Sequence, residues 1–389
     1  VTCGEEVKTY GNIIMGDVYI LGGQSNMEYW MSGLADTNED LNNNPDRAEN
    51  PNIRTIDLLS KGTNGSEEPS ENVPDVDGTV WKEMSFSVAR TASQIGYYFA
   101  QQLNEETGRP IGLISTAVGG TAIDRWEVGG NLFNNRIYPC RNFAVSGVLF
   151  YQGEANEYMP AGEYSDRMAG LIDGYRELFG DEDLPFWYAQ LARYGNQNFE
   201  NIRAAQVWTL DKVANRTNVG IVSTLDEVGS YNQGSGNARN DIHPYGKAII
   251  AERFAQYAKS DVYGGVDYAR GPLYQSMAVN GSTIELTFDC AGDLQIMPLE
   301  QYADYQTQIL VNTMVLDPNI LTAFEIAGED GVYYTATAEI QGNKVILSAD
   351  EVSAPVKARY AFGAYPESPN LTDSTGLPSY TFATEYTTK

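Results

Sequence analysis

The sequence predicts an α/β domain with a parallel sheet, followed by an all-β domain of sandwich type. In the first two thirds of the chain, apolar strand-like runs alternate with helical patterns, which indicates a parallel sheet covered by helices on both faces. After Gly271-Pro272, short alternating runs such as 282–288 are separated by turn residues. At 389 residues the chain is also too long for one small core. We therefore expect one domain at 16–270 and a β domain at 271–389.

Each element of the first domain follows from local composition. The first strand is a short apolar run that ends in Gly22-Gly23, and Pro244 stands at a favourable first-turn position of the last helix. The predicted strands are 18–21, 111–117, 145–151, 185–191 and 219–225. The predicted helices are 91–103, 162–179, 201–214 and 244–258.

One long segment interrupts this alternation. Residues 36–80 are rich in Asn, Asp, Glu, Gly, Ser and Pro and have little periodicity. Loops of this length are commonly functional or disordered. We therefore predict a long surface loop within the first domain.

The charge balance argues against two kinds of partner. The chain has 52 acidic and 25 basic residues, a formal net charge of −27, and no Lys/Arg cluster. Such a field repels nucleic-acid phosphates and anionic membranes, so we expect neither as a partner. No apolar run approaches the length of a membrane-spanning helix, about 18 residues, which predicts a soluble protein. The chain begins with Val1 rather than Met, so secreted and cytoplasmic locations, like the oligomeric state, stay open.

The cysteines and the histidine argue against a metal site. Cys3, Cys140 and Cys290 lie far apart without the spacing of metal ligands, and His243 is the chain's single histidine. We therefore expect no metal. If the protein does acid–base chemistry with an imidazole, His243 must supply it.

The polar motifs of the first domain follow the ends of its predicted strands. In open α/β sheets, ligands bind outside the carboxyl ends of the strands, so these motifs should meet at one edge. They are Gly23-Gln24-Ser25-Asn26-Met27, Gly119-Gly120-Thr121, Gly153-Glu154-Ala155-Asn156 and Asp226, with His243 on a loop before the last helix.

This set of residues suits acyl transfer. A serine hydroxyl is a weak nucleophile until a base takes its proton, and His243 can be that base for Ser25. The oxyanion of the tetrahedral intermediate needs fixed donors. We expect these to be the Ser25 and Gly120 backbone N–H groups and the Asn156 side-chain amide. The choice between Gly119 and Gly120 stays open.

The motifs resemble a known group of hydrolases. Met27 stands where an α/β-hydrolase elbow has glycine, which argues against that fold. The four blocks instead resemble those of the SGNH hydrolase superfamily, and more narrowly the sialate O-acetylesterase-like carbohydrate esterases. The resemblance includes the flanks of the blocks and extends over nearly the whole chain. The segments outside the blocks that resemble this family are Gly16-Asp17-Val18, Val148 to Glu154, Pro355 to Tyr360 and Gly376-Leu377-Pro378.

The resemblance implies a fold, an activity and a domain history. The first domain would be flavodoxin-like, act without a cofactor and hydrolyse acetyl esters on sugars. Residues 1–15 would be the remnant of an N-terminal β region that family members often carry.

The sequence offers several candidates for the residue that orients His243. SGNH enzymes usually place an aspartate three residues before the histidine, where this chain has Asn240. Asp241 stands two before, in the Asp-Ile-His-Pro form that the narrower family often shows, and is our first choice. Asp226 and Glu227 are rivals, and a Ser–His dyad oriented by a backbone carbonyl is a further alternative.

Several other residues are candidates for support or substrate contact. Aromatic faces stack on sugar rings, although aromatic residues more often belong to a core. Arginine can bind a sugar-acid carboxylate through two hydrogen bonds, with surface ion pairing as the alternative. The supporting candidates are Gln24, Gly119, Gln152 and Glu154, and the substrate candidates are Glu154, Trp30, Trp126, Tyr158, Arg125 and Arg193.

The sequence thus predicts a carbohydrate O-acetylesterase with an acetylated carbohydrate as its partner. O-acetylated sialic acid is the favoured substrate, followed by acetylated xylan or mannan. A catalytically silent carbohydrate-binding protein is the alternative from another class. A lipase or thioesterase is a third, but it needs an apolar acyl channel that the polar segment 36–80 does not suggest.

Overall fold

The structure is a computed structural model that describes most of the chain. The described residues are 2–3, 6–7, 11–33, 35–58, 68–69, 80–195, 197–227, 242–265, 269–297, 317, 319–366 and 368–386, with backbone only at 2–3, 6–7 and 35–38. At the N-terminus, β1 (Thr2–Cys3) and β2 (Glu6–Val7) form a short antiparallel pair. Asp241 lies outside the described residues, as does most of 59–79.

A seven-stranded sheet forms the centre of the first domain. Its strands are β3 (Asp17–Gly23), β4 (Asn50–Asp57), β5 (Lys82–Met84), β6 (Ile111–Ser115), β7 (Gly147–Tyr151), β8 (Phe186–Ala189) and β9 (Val219–Val222). All pairings are parallel except that of β4 with the edge strand β5. Every residue of β6, β7 and β8 is buried, as expected for strands covered on both faces.

The strand order is that of a flavodoxin-like sheet with an extension. The sheet runs β5-β4-β6-β3-β7-β8-β9. Without β4 and β5, this is the order 2-1-3-4-5, in which the ligand crevice opens between the first and third strands. Here that crevice lies between β3 and β7, where the motifs of Ser25 and Asn156 follow their strands. The predicted fold class is confirmed.

Helices cover both faces of this sheet. They are α1 (Ser25–Glu28), α2 (Ala35–Asn43), α3 (Pro45–Ala48), α4 (Phe86–Ala89), α5 (Gln94–Thr107), α6 (Ala161–Phe179), α7 (Glu200–Lys212) and α8 (Lys247–Asp261). On one face α5 packs against α8, and on the other α6 packs against α7. Local signals set the ends of α5, since the Ser93 side chain accepts the Gly96 N–H and Gly108 ends the helix in a left-handed conformation.

The prediction of a surface loop over 36–80 is wrong for its first part. This stretch contains α2, α3 and β4, and β4 pairs with strands on both sides. Asn50, Pro51 and Asn52 suggest a loop by composition, but the apolar side chains of Ile53 and Ile56 are buried against the sheet. Tertiary pairing therefore overrides the local preference.

The C-terminal part is a β domain with its own core. The strands are β10 (Leu273–Asn280), β11 (Thr283–Asp289), β12 (Gln295–Ile296), β13 (Phe324–Ala327), β14 (Tyr333–Thr335), β15 (Thr337–Gln341), β16 (Lys344–Ser348), β17 (Lys357–Tyr360), β18 (Leu371–Thr372) and β19 (Phe382–Ala383). Two antiparallel sheets, β10-β11-β16-β15 and β14-β13-β17-β19, share one apolar cluster, as in a sandwich. Alternate residues of β11 are buried, which matches the period of a half-buried strand.

Candidate active site

Ser25 lies at the carboxyl end of β3, as the first residue of α1. The turn requires Gly23, whose φ is +112° and where a Cβ would lie 2.2 Å from the Tyr151 carbonyl oxygen. The Gln24 N–H donates to that oxygen (2.8 Å), and the Val118 N–H donates to the Gly23 carbonyl oxygen (2.9 Å). The nucleophile turn is thereby attached to the ends of both neighbouring strands.

The two glycines after β6 lie against the Ser25 helix. The Gly119 N–H donates to Glu28 Oε2 (2.5 Å), and a Cβ at Gly119 would lie 3.5 Å from Ser25 Cβ. Burial raises the pKa of the Glu28 carboxyl, and the Gly119 hydrogen bond opposes this shift. The Gly119 N–H is thus already engaged, which favours Gly120, whose φ is +68°, as the predicted oxyanion donor of the two.

Hydrogen bonds to the oxygen of the Asn156 side-chain amide fix the orientation of the amide. Its Oδ1 accepts the Ile123 N–H (3.0 Å) and Gln152 Nε2 (2.6 Å). Because Oδ1 has two donors, Nδ2 faces the other way; its described contact is a weak one to Met159 Sδ at 3.8 Å. This orientation is the one that an oxyanion donor needs.

Gln152 joins three of the motifs. Its Nε2 donates to Gln24 Oε1 (3.3 Å), to the Thr121 carbonyl oxygen (3.1 Å) and to Asn156. The Tyr164 hydroxyl fixes the amide orientation by donating to Gln152 Oε1 (3.0 Å). Gln24 and Gln152 thus connect the motifs, and their supporting role remains a prediction.

His243 lies on the loop between β9 and α8, beside the Ser25 helix. Its ring centroid is 4.5 Å from that of Tyr29, the residue that follows α1. The preceding carbonyl oxygen, that of Ile242, accepts Asn26 Nδ2 (3.1 Å). The nucleophile helix and the histidine loop are therefore in direct contact.

Of the two rival acids, Asp226 has both carboxylate oxygens paired and Glu227 has one. Both carboxylate oxygens of Asp226 bind Arg253, at 2.8 and 2.5 Å. Glu227 Oε2 accepts the Gly246 N–H (2.9 Å), and burial together with the Asp226 charge raises the pKa of Glu227. Asp241, the first choice for orienting His243, remains a prediction.

Two of the candidates for substrate contact are buried, and for Trp126 this is the core position that sequence reasoning gave as the commoner one. Trp126 is fully buried, and its indole Nε1 donates to Thr121 Oγ1 (3.0 Å) inside the domain. Arg193 is also buried and donates to the carbonyl oxygens of Pro366 in the β domain (3.1 Å) and of Glu227 (3.4 Å). Arg193 therefore ties the two domains together.

Three other substrate candidates remain accessible. Trp30 is 50% exposed and Tyr158 is 88% exposed, and each follows a site motif closely. Arg125 is half-buried and donates from Nε to Asn131 Oδ1 (2.9 Å). Their roles toward a sugar remain predictions.

Two buried residues were missed from sequence. The Asn26 amide contacts Glu154, Ile242 and Lys247, three separate segments of the site. Lys247 is fully buried at the start of α8, although lysine is rarely buried without a partner. Asn26 belongs to a predicted motif, but nothing in the local sequence distinguishes Lys247 from an ordinary surface lysine.

Removing the Asn156 amide should slow catalysis without unfolding the protein. Loss of one oxyanion donor lowers kcat by about 10²–10³-fold, so we expect this loss for Asn156→Ala on 4-nitrophenyl acetate with little change in KM. Asn156→Asp keeps the oxygen that binds Ile123 and Gln152 but removes the donor, and should be at least as slow. A folded Asn156→Ala variant within tenfold of wild-type kcat would exclude the donor role.

Removing Asp226 should destabilise the fold. Both Asp226 and Arg253 have side chains only 6% exposed, and breaking a buried ion pair on one side costs about 3–5 kcal/mol. We therefore expect Asp226→Asn to shift the urea denaturation midpoint strongly downward. Asp173→Asn is the matched control, because Asp173 pairs with Arg216 at the surface, where such pairs contribute about 0–1 kcal/mol. Equal shifts in the two variants would contradict a special role for the buried pair.

Comparisons with known proteins identify the family of this chain. A family model described as carbohydrate esterase, sialic acid-specific acetylesterase, matches residues 15–241. The chain is 24% identical over 308 residues to the sialate O-acetylesterase of Homo sapiens, covering 67% of this chain and 56% of that one. It is 24% identical over 353 residues to that of Mus musculus, covering 72% and 63%. The chain thus spans somewhat more than half the length of these relatives.

A solved structure is similar over nearly the whole chain. The crystal structure of a carbohydrate acetylesterase from Xanthomonas citri matches with a TM-score of 0.78 at 28% identity. The match covers 95% of this chain and 80% of that one. Both the α/β domain and the β domain therefore have a counterpart in that protein.

Proposed function

We propose that this chain, which belongs to the sialic acid-specific acetylesterase family of carbohydrate esterases, removes acetyl groups from sugar hydroxyls as a serine esterase. The hydrogen bonds that join its four motifs at one edge of the sheet carry this proposal. Gly119 donates to Glu28 of the nucleophile helix, Gln152 links Gln24 to Asn156, and Asn26 links that helix to the histidine loop. These contacts support the proposal that Ser25 is the nucleophile, His243 the base and Asn156 an oxyanion donor.

In the acylation step, Ser25 attacks the acetyl carbonyl carbon. His243 takes the hydroxyl proton as the Oγ–carbon bond forms, and the carbonyl π electrons move to oxygen. The Asn156 amide and the Ser25 and Gly120 backbone N–H groups stabilise that oxyanion. Its collapse expels the sugar alkoxide, which takes the proton from His243.

Deacylation repeats these steps with water. His243 takes a proton from a water molecule that attacks the acetyl-enzyme, and returns the proton to Ser25 Oγ as acetate leaves. Asp241 would orient the imidazole and stabilise its protonated form. Asp226 is the weaker candidate for that task, since both its oxygens bind Arg253.

We favour O-acetylated sialic acid as the substrate, followed by acetylated xylan or mannan. The curated relatives named above are sialate O-acetylesterases, and Arg125 is an accessible partner for a sugar carboxylate. The exposed rings of Trp30 and Tyr158 offer surfaces for a sugar ring. The net charge of −27 disfavours an anionic sugar, but physiological salt screens charges beyond about 8 Å.

A substrate comparison tests this function. The wild-type rate on 4-nitrophenyl acetate is compared with that on 4-nitrophenyl octanoate, and acetate release is then measured from O-acetylated sialic acid and from acetylated xylan. We expect hydrolysis of the acetate ester alone and faster release from the sialic acid. Equal rates on acetate and octanoate would contradict a sugar acetylesterase, and faster release from xylan would change the substrate assignment.

A further inference from the structure

A buried lysine stands next to the proposed catalytic residues. Lys247 follows His243 by four positions, is fully buried, and donates from Nζ to Asn26 Oδ1. Its Nζ also lies 5.4 Å from the Tyr151 ring centroid, within cation–π distance. A buried ammonium is costly unless it is paired and hydrogen-bonded, so this position calls for a nearby anion.

The Asn26 amide connects this lysine to a buried carboxylate. Because Lys247 can only donate, it fixes the amide with Oδ1 toward itself. Nδ2 then faces Glu154 Oε1 at 2.5 Å and the Ile242 carbonyl oxygen at 3.1 Å. The Asn26 amide nitrogen therefore binds both Glu154 and the residue before His243.

Glu154 is the carboxylate that the Asn26 amide binds, and the charge of Lys247 also lowers the pKa of the buried Glu227. Glu154 is itself buried, and among the described residues its Oε2 has no hydrogen-bond partner. Burial raises the pKa of Glu154, while the Asn26 hydrogen bond and the charges of Lys247 and His243 lower it. Among the described residues, the buried hydroxyls of Tyr151 and Tyr164 also sense its charge.

We propose that Glu154 is a positioning residue that acts through His243: Lys247 and Asn26 hold it as a carboxylate, and its charge stabilises the imidazolium that forms when His243 takes the Ser25 proton. This rests on the proposed function. It assigns Glu154 to the reaction rather than to contact with substrate hydroxyls, and it adds a second carboxylate beside the predicted Asp241. Lys247 acts at one remove, because its charge lowers the pKa of Glu154 and so favours the carboxylate.

The single histidine of the chain allows a direct test. His243 contributes the one imidazole resonance in an NMR titration, which we compare in wild type and Glu154→Gln. Removing a nearby negative charge disfavours the imidazolium, so the midpoint should move to lower pH by about one unit. One unit corresponds to a tenfold change in imidazolium stability, so kcat should fall by up to about tenfold with KM nearly unchanged. The acid limb of kcat/KM should move with the NMR midpoint.

Three further variants separate this role from a merely structural one. Glu154→Asp keeps the charge and should retain the wild-type midpoint. Lys247→Met removes a charge that lowers the pKa of Glu154 and so favours its neutral form, which should move the midpoint down; loss of a nearby cation alone would move it up. Glu163→Gln, which removes a half-exposed carboxylate paired with Arg167, should change nothing.

The possible failures are distinguishable. A wild-type midpoint and pH profile in folded Glu154→Gln would overturn the inference, and an upward shift in Lys247→Met would overturn the role of the lysine. Absence of esterase activity in the wild type would instead overturn the proposed function. The NMR titration would still report in that case whether Glu154 acts on His243.

Discussion

Replacing Ser25 by alanine should abolish hydrolysis of 4-nitrophenyl acetate. Without Oγ there is no nucleophile, and loss of the serine in enzymes of this kind lowers kcat by roughly 10³–10⁶-fold. The residual rate would come from the oxyanion donors and from substrate binding, which the substitution leaves in place. The urea denaturation midpoint should hardly change, because only one hydroxyl oxygen is removed.

A second serine gives the control for this experiment. The Ser32 hydroxyl donates to the Arg90 carbonyl oxygen (2.8 Å), seven residues beyond the nucleophile, so Ser32→Ala should keep wild-type activity. A Ser25→Ala rate within tenfold of wild type would mean that another residue is the nucleophile. The mechanism proposed above would then be wrong at its first step.

Replacing His243 by alanine should cost about as much as losing the serine. It is the only histidine in the chain, so no other imidazole can take the Ser25 proton. We expect kcat to fall by roughly 10³–10⁶-fold, within the range seen when members of such a set are removed. Added free imidazole should restore part of the activity, because it can occupy the vacated space and act as the base.

The double variant tests whether the two residues act as one unit. If His243 serves only to activate Ser25, Ser25→Ala/His243→Ala should be about as slow as either single variant. If the loss of kcat in the double variant equals the product of the two single losses, Ser25 and His243 contribute independently. That result would contradict the proposed proton transfer. The comparison needs only kcat values on one substrate.

Much of the fold was readable from the sequence, because buried parallel strands are continuous apolar runs. The strands β6, β7 and β8 follow that pattern and were predicted closely. β4 was missed because its start, Asn50 to Asn52, has the composition of a loop. Its pairing with β6 and β5 comes from distant segments, which no local pattern reveals.

The candidate site, like the fold, was predicted only in part from the sequence. The motifs identified Ser25, His243, Gly120 and Asn156 as candidates, since each chemical role requires a particular residue type after a particular strand. The same reasoning could not recognise that Trp126 and Arg193 are buried, because burial depends on what packs over a side chain.

The sequence by itself determined the family and the residue types of the site, because strand ends in an open parallel sheet converge wherever the chain later folds. Only the tertiary structure decided which hydrogen-bonding groups of the site pair with one another. Glu28 engages the Gly119 N–H, Gln152 turns the Asn156 amide, and Lys247 turns the Asn26 amide. In each case the hydrogen-bond partner comes from elsewhere in the chain or from across a turn. A hydrogen bond requires a particular distance and direction between donor and acceptor, and the order of residues does not contain either.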